Sequence, residues 1–233
     1  MTNLNTIDQV KNFYSKLQFP GHYSDKQIDY HLPIPKNGYL KIIDQYLDHN
    51  QSILDVGCGT GLISNLFAKK YSTSNVVGVD FSDSVDYAVA FAQQHDINNV
   101  TFVKENFVNY DPGVKFDRII CQGVLHHMPD YHNMINKLKS MLNPNGLLII
   151  GLYHPAGKIL KKFININYKN RILEIDQEQN PYETSFDFAQ VSKLCSGLEL
   201  VDMWPKHQKW LFSIPTFFNY ANGGLITYVW KKV

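Results

Sequence analysis

Arginine is nearly missing from this chain: Arg118 and Arg171 are its only two occurrences in 233 residues. Bidentate recognition of phosphates and guanine edges leans on arginine, so a nucleic-acid acceptor is disfavoured. No excess of positive charge compensates, because 22 Lys and Arg face 21 Asp and Glu and the net charge is +1. Cysteine is sparse as well. Cys58, Cys121 and Cys195 are odd in number, widely separated and form no CxxC pair. That pattern argues against a disulfide framework or a structural zinc site and fits a reducing, cytoplasmic setting. The longest apolar run, Leu147 to Tyr153, is far too short to span a bilayer. The opening residues, MTNLNTIDQVKNFY, lack the apolar stretch of a secretory signal. No internal repeat and no low-complexity tract is visible.

What is present suffices for a folded core, with 44% hydrophobic and 13% aromatic residues. Residues 1–50 read as an N-terminal cap. A weak helical period over Asp8 to Leu17 is broken at Phe19-Pro20-Gly21, and an amphipathic helix follows over Gly38 to Leu47. From Ser52 the pattern is regular. Apolar strand runs at Ser52–Val56, Asn75–Phe81, Val100–Lys104, Phe116–Cys121 and Gly146–Tyr153 alternate with helical stretches at Leu62–Lys70, Ser82–His95 and Asp130–Leu142. Ser82 is the expected N-cap of the second of these. Continuous apolar strands alternating with helices indicate a parallel sheet covered on both faces, with right-handed crossovers. Residues 51–233 then form one domain, carrying inserted segments at about 157–185 and 208–224. Within it Phe186 to Cys195 reads as a helix, and Leu198–Trp204 and Leu225–Val233 as two final strands.

The stretch Leu54-Asp55-Val56-Gly57-Cys58-Gly59-Thr60-Gly61 carries the chemistry. A strand delivers an acid, and three glycines then allow a sharp turn into a helix against which a ligand can lie. Asp80 closes the next strand, where a carboxylate can accept hydrogen bonds from a ribose diol. A dinucleotide site needs G-x-G-x-x-G, with a small third residue beside the pyrophosphate. Here the spacing is G-x-G-x-G, Leu62 stands at the third dinucleotide position, and Asp55 would repel a pyrophosphate.

In these residues the chain resembles the class I S-adenosylmethionine-dependent methyltransferases. Gly78-Val79-Asp80-Phe81-Ser82, Phe116-Asp117-Arg118-Ile119-Ile120, Val124-Leu125-His126-His127-Met128 and Leu138 to Gly146 fall in the family's order and spacing. The resemblance covers about Ser52 to Tyr153. It implies a Rossmann-like α/β three-layer sandwich with a seven-stranded, mostly parallel sheet in the order 3-2-1-4-5-7-6, the last strand antiparallel. It implies S-adenosyl-L-methionine as cofactor, released as S-adenosyl-L-homocysteine.

The family's roles then fall on numbered positions. Gly57, Cys58, Gly59 and Gly61 would hold the methionine part and the ribose, with Asp55 supporting the loop and the amino group. Asp80 would hold the ribose hydroxyls and Phe81 would pack on adenine. Asn106, where many members have an acid, would meet the adenine amino group beside Phe107, although a plain turn residue is an equal reading. Gln122 would lie at the methionine end.

Candidate acceptor-side residues are His126, His127, Tyr153 and His154, at the carboxyl ends of the fourth and fifth strands. Structural packing of either histidine is the competing reading, and no metal site is expected from them. The implied reaction is in-line methyl transfer to an oxygen or nitrogen of a small-molecule or peptide acceptor. The alternatives are a non-catalytic cofactor-binding subunit, a nucleic-acid methyltransferase or an NAD-dependent oxidoreductase. The aromatic stretch Trp210 to Tyr220 and the N-terminal Phe19 to Tyr23, with Tyr30, are expected to roof one pocket.

Overall fold

Ser52–Val56 (β1) is apolar on both sides of its pleat, and the reason is its place in the sheet. It pairs in parallel with Asn75–Asp80 (β2) on one side and with Phe116–Gln122 (β4) on the other. Val100–Lys104 (β3) adds to β2 in parallel, and Leu142–Tyr153 (β5) to β4. Leu225–Lys232 (β7) inserts antiparallel between β5 and Leu198–Trp204 (β6). The order is β3-β2-β1-β4-β5-β7-β6, as the resemblance implied. This computed structural model describes residues 9–14, 18–19, 21, 38–155, 182–205 and 224–233. The expected roof over Trp210–Tyr220, and Tyr23 and Tyr30, lie outside the described residues, as does most of the 157–185 segment.

Alternation along the strands divides the core into two layers. Leu54, Ile119, Leu148 and Ile150 face one way. They meet Met134, Ile135 and Leu138 of the helix Tyr131–Ser140 (named α4 below) and Val191 of the helix Phe188–Leu194 (α5). Ile53, Ile120, Leu147 and Ile149 face the other way. They meet Ile42 and Ile43 of Tyr39–Asp44 (α1), Leu66 and Phe67 of Leu62–Lys70 (α2) and Phe91 of Ser84–Gln94 (α3). Three layers result.

Two of the boundaries that differ from expectation are set by identifiable contacts. The second crossover helix begins at Ser84 with Asp83 at the N-cap, while the Ser82 N–H and hydroxyl both bond Asp80 Oδ1 (2.8 and 2.7 Å) and hold Ser82 to the end of β2. The fifth strand starts at Leu142, four residues early. Phe116 pairs with Leu142 and Arg118 with Leu147, so a register irregularity absorbs Asn143 to Gly146. The start of α5 is better built than its sequence reading suggested: Asp187 accepts from the Gln190 N–H while Gln190 reaches back to the Asp187 N–H.

The end of the sheet away from the glycine loop is tied by Asp117. It accepts from the Ser52 N–H (2.9 Å), the Ser52 hydroxyl (2.8 Å) and Asn143 Nδ2 (2.8 Å). Those bonds join β1, β4 and β5. Partial burial pushes the Asp117 pKa up, but the hydrogen bonds and nearby Arg118 outweigh it and hold the carboxyl below its ordinary value.

Candidate active site

The strand order reverses between β1 and β4, and open α/β sheets bind ligands outside the carboxyl ends of the strands at such a point. The glycine loop leaves β1 there. Gly57, Gly59 and Gly61 have φ of 71°, 54° and 79°, so the loop's path is one that side chains rarely follow. Gly57 N–H (2.7 Å) and Cys58 N–H (3.2 Å) both donate to the Val79 carbonyl, which hangs the loop on β2. A Cβ on Gly57 would lie 2.3 Å from Val124 Cγ2, so the loop after β4 packs directly on the glycine loop. A Cβ on Gly61 would meet Ala88 at 2.6 Å, which seats α2 against α3.

Asp80, at the end of β2, faces this loop. Its Oδ2 accepts from the Gly59 N–H (2.9 Å), and its Oδ1 accepts from the Ser82 N–H (2.8 Å) and hydroxyl (2.7 Å). The carboxylate is oriented by these three hydrogen bonds across its two oxygens and remains half-buried. Phe81 beside it is also half-buried.

Asp55 is 2% exposed and accepts from the Ser64 hydroxyl at 2.6 Å. Burial is the main reason its pKa is pushed up to about 7. The Ser64 bond opposes the rise, and the Asp80 charge adds to it. The same two carboxylates, with burial as the larger cause, hold the Cys58 thiol well above its ordinary pKa, so Cys58 is a neutral packing residue.

A folded-state pKa above the unfolded one means that the folded protein binds the extra proton between the two values. Stability is therefore expected to fall as pH rises from about 4 to about 7, by at most about 4 kcal/mol. Asp55→Asn should flatten that slope. Thermal unfolding at several pH values in both proteins checks it, and an unchanged slope in the variant would count against Asp55 as the source.

The other cofactor-side positions are distributed differently. Asn106 Oδ1 accepts from the Val108 N–H (3.0 Å), and its carbonyl accepts from Asn109 and Tyr110. Its side chain thus closes a local turn, the plainer of its two readings. Phe107 is buried in the core against Tyr110, with Lys137 Nζ 5.0 Å from its ring centre. Gln122 lies across Gly151, where a Cβ would come within 2.4 Å of its carboxamide, and donates to Thr227 Oγ1 of β7 at 3.0 Å. Thr227, fully buried, carries no sequence signal for this contact, because strand order alone brings it to Gln122.

The acceptor-side residues come together. Leu125–His127 forms a 3-10 turn directly after Val124. The His126 ring centre is 4.1 Å from that of His127 and 4.1 Å from that of Tyr153, and Tyr14 stands 5.7 Å from His127. His126 is completely buried. His127 Nδ1 is 3.0 Å from the Tyr182 carbonyl, which can only accept. That contact puts the Nδ1 proton on the Tyr182 side and makes Nε2 the acceptor in the neutral ring. Residues 182–187 run along this cluster, with Thr184 N–H on the His126 carbonyl (2.9 Å) and Phe186 N–H on the Tyr153 carbonyl (2.8 Å). Half-buried His154 donates its N–H to the Gly224 carbonyl (3.0 Å), and burial, opposed by Asp187, lowers its pKa.

With fold and site in place, comparison with known proteins gives the class. A family model for the methyltransferase domain matches residues 47–216, and the chain belongs to that family. A ubiquinone biosynthesis O-methyltransferase of Coxiella burnetii is 35% identical over 111 residues, covering 47% of this chain and 47% of that protein. An (S)-coclaurine N-methyltransferase of Papaver somniferum is 25% identical over 139 residues, covering 57% of this chain and 38% of that protein. The chain therefore spans less than half the length of these curated relatives. Magnesium protoporphyrin IX methyltransferase from Synechocystis PCC 6803, solved with bound S-adenosylhomocysteine, shares the fold. Its TM-score is 0.57 at 18% identity, over 99% of this chain and 95% of that one.

Proposed function

We propose that this protein is an S-adenosyl-L-methionine-dependent methyltransferase acting on an oxygen or nitrogen of a small-molecule or peptide acceptor. The observation that carries the reading is the pair of carboxylates, Asp55 and Asp80, set against one glycine loop at the sheet's reversal point. A loop flanked by two acids opposes a pyrophosphate and suits a ligand that is cationic and free of phosphate. Asp80 offers a ribose diol an oriented acceptor. The residues present fit the adenosyl cofactor and do not fit a nicotinamide dinucleotide, whose third small residue is replaced by Leu62.

When bound, S-adenosyl-L-methionine supplies a methyl group already activated by its sulfonium charge. The chain's own contribution is positional, and holding two reactants in line is worth roughly 7–11 kcal/mol. Gly57 to Gly61 and Asp80 would hold the cofactor. Val124, packed on Gly57, would carry the His126–His127 turn to its acceptor side. An oxygen or nitrogen acceptor must lose a proton. His127, with Nδ1 turned to the Tyr182 carbonyl, is the residue we assign to receive it at Nε2. Tyr153 and His126 would shape the wall beside it.

His127→Gln is expected to lower turnover by about 10²–10⁴-fold while leaving S-adenosyl-L-homocysteine affinity within about twofold. Isothermal titration and single-turnover rates separate the two quantities. A rate within threefold of the parent protein would remove His127 from that role.

Residues 1–50 are read as a cap on this domain, supported by α1 packing into the core layer shared with β1, α2 and β7. Among the described residues no helix is long and apolar enough to cross a membrane. With the thiols unpaired and the charge balanced, a cytoplasmic enzyme is the setting we infer. The test is incubation with methyl-labelled cofactor and a panel of phenols, carboxylates and amines. Label transferred to any acceptor supports the reading. Cofactor binding without transfer to any class would favour the non-catalytic subunit.

A further inference from the structure

Two successive backbone amides of the glycine loop, those of Gly59 and Thr60, are held by different partners. On one side the Gly59 N–H donates to Asp80 Oδ2 at 2.9 Å. On the other the Thr60 N–H donates to the Phe19 carbonyl at 3.0 Å, and the Thr60 hydroxyl lies 3.3 Å from the same carbonyl and 3.1 Å from that of Gly21. The approach is close: a Cβ on Gly59 would sit 2.2 Å from the Phe19 oxygen. Thr60 is completely buried, so these donors are shielded from water. Some forty residues of chain separate the partners.

Resting on the reading of the glycine loop as the adenosyl site, we propose that Thr60 is a positioning residue. It latches the Phe19 and Gly21 carbonyls onto the loop and links that latch to cofactor residence. The link is one peptide unit long. The Gly59 amide fixes the carboxylate that would take the ribose diol, and the adjoining Thr60 amide fixes the N-terminal segment. A ligand that orders Asp80 orders the backbone at Gly59, the residue adjoining Thr60, and therefore tightens the latch. By thermodynamic reciprocity, the latched state holds the ligand more tightly by the factor with which the ligand tightens the latch, so loosening the latch weakens that hold. One buried hydrogen bond sets the scale, about three- to tenfold.

The experiment compares the full chain with Thr60→Val, which keeps shape and the backbone donor but deletes the hydroxyl, and with Thr60→Ser, which restores it. The first reading is amide hydrogen exchange at residue 60 without ligand, followed by NMR. The second is the rate at which S-adenosyl-L-homocysteine leaves, by displacement in stopped flow. We expect Thr60→Val to exchange three- to tenfold faster at residue 60 and to release the ligand faster by a similar factor. Thr60→Ser should match the parent in both, and the ligand should slow exchange at residue 60 in the parent. Unchanged exchange in Thr60→Val overturns the latch. Faster exchange with unchanged release overturns the link, and Thr60→Ser behaving like Thr60→Val overturns the hydroxyl's role. Should Thr60→Val unfold, Thr60→Ala takes its place. If the parent binds no S-adenosyl-L-homocysteine, the reading of the site fails, while ligand-free exchange still decides the latch.

Discussion

Asp80→Ala is expected to weaken S-adenosyl-L-homocysteine binding by about 10- to 100-fold, the scale of losing one or two hydrogen bonds to a charged group. Two losses combine. The ribose diol would lose its acceptor, and the Gly59 N–H, the Ser82 N–H and the Ser82 hydroxyl would lose theirs. The second loss loosens the glycine loop at Gly59, although Gly57 and Cys58 still bond the Val79 carbonyl, so the loop should also become more mobile there without ligand. Asp80→Asn separates the parts. Its amide oxygen can still accept from the Gly59 N–H, but it presents one acceptor in place of two and no charge. Asn should therefore keep the loop ordered and still bind less tightly than the parent. Calorimetry measures the affinities, and parent-like affinity in Asp80→Ala would remove Asp80 from the site.

Gly59→Val should be more damaging than any other single change in the loop. The backbone at Gly59 has φ of 54°, where a β-branched residue is strained by about 1–3 kcal/mol. Its Cβ would also lie 2.2 Å from the Phe19 carbonyl oxygen, a backbone atom that cannot turn aside. The side chain would thus displace Phe19 and Gly21 before it reached any cofactor. We expect a lower melting temperature, loss of detectable S-adenosyl-L-homocysteine binding, and loss of amide protection at Thr60. Gly59→Ala should show the same changes to a smaller degree. A parent-like melting temperature and affinity in Gly59→Val would mean that Phe19 does not lie where the structure places it.

The sheet was readable because its signals are local and repeated. β1, α2, β3 and β6 run between the residues that their apolar runs and flanking breakers mark. The start of β5 was not readable, because Asn143-Pro144-Asn145-Gly146 carries every sign of a turn. Only pairing with Phe116 draws Leu142 into the strand. The glycine loop and Asp80 stood out for the same reason as the strands: they are short motifs at fixed places between elements.

What the sequence hid is long-range. Nothing in Phe19 or Gly21 says that their carbonyls meet Thr60, and nothing in Thr227 says that it will lie beside Gln122. Asn106 illustrates the converse. Its position in the order of elements suggests a ligand contact, whereas its bond to Val108 shows the local turn chemistry that asparagine also performs. For the histidines, the pair itself was visible, but which ring nitrogen is fixed was not. That depends on the Tyr182 carbonyl, which a segment more than fifty residues downstream brings to His127.

Direct titration of the purified chain with S-adenosyl-L-homocysteine, alongside NAD under the same conditions, tests the central claim. Two acids beside a glycine loop, with Leu62 in the third dinucleotide position, should give saturable one-to-one binding of the adenosyl ligand and no measurable binding of the dinucleotide. Tighter binding of NAD, or no binding of S-adenosyl-L-homocysteine, would contradict the account.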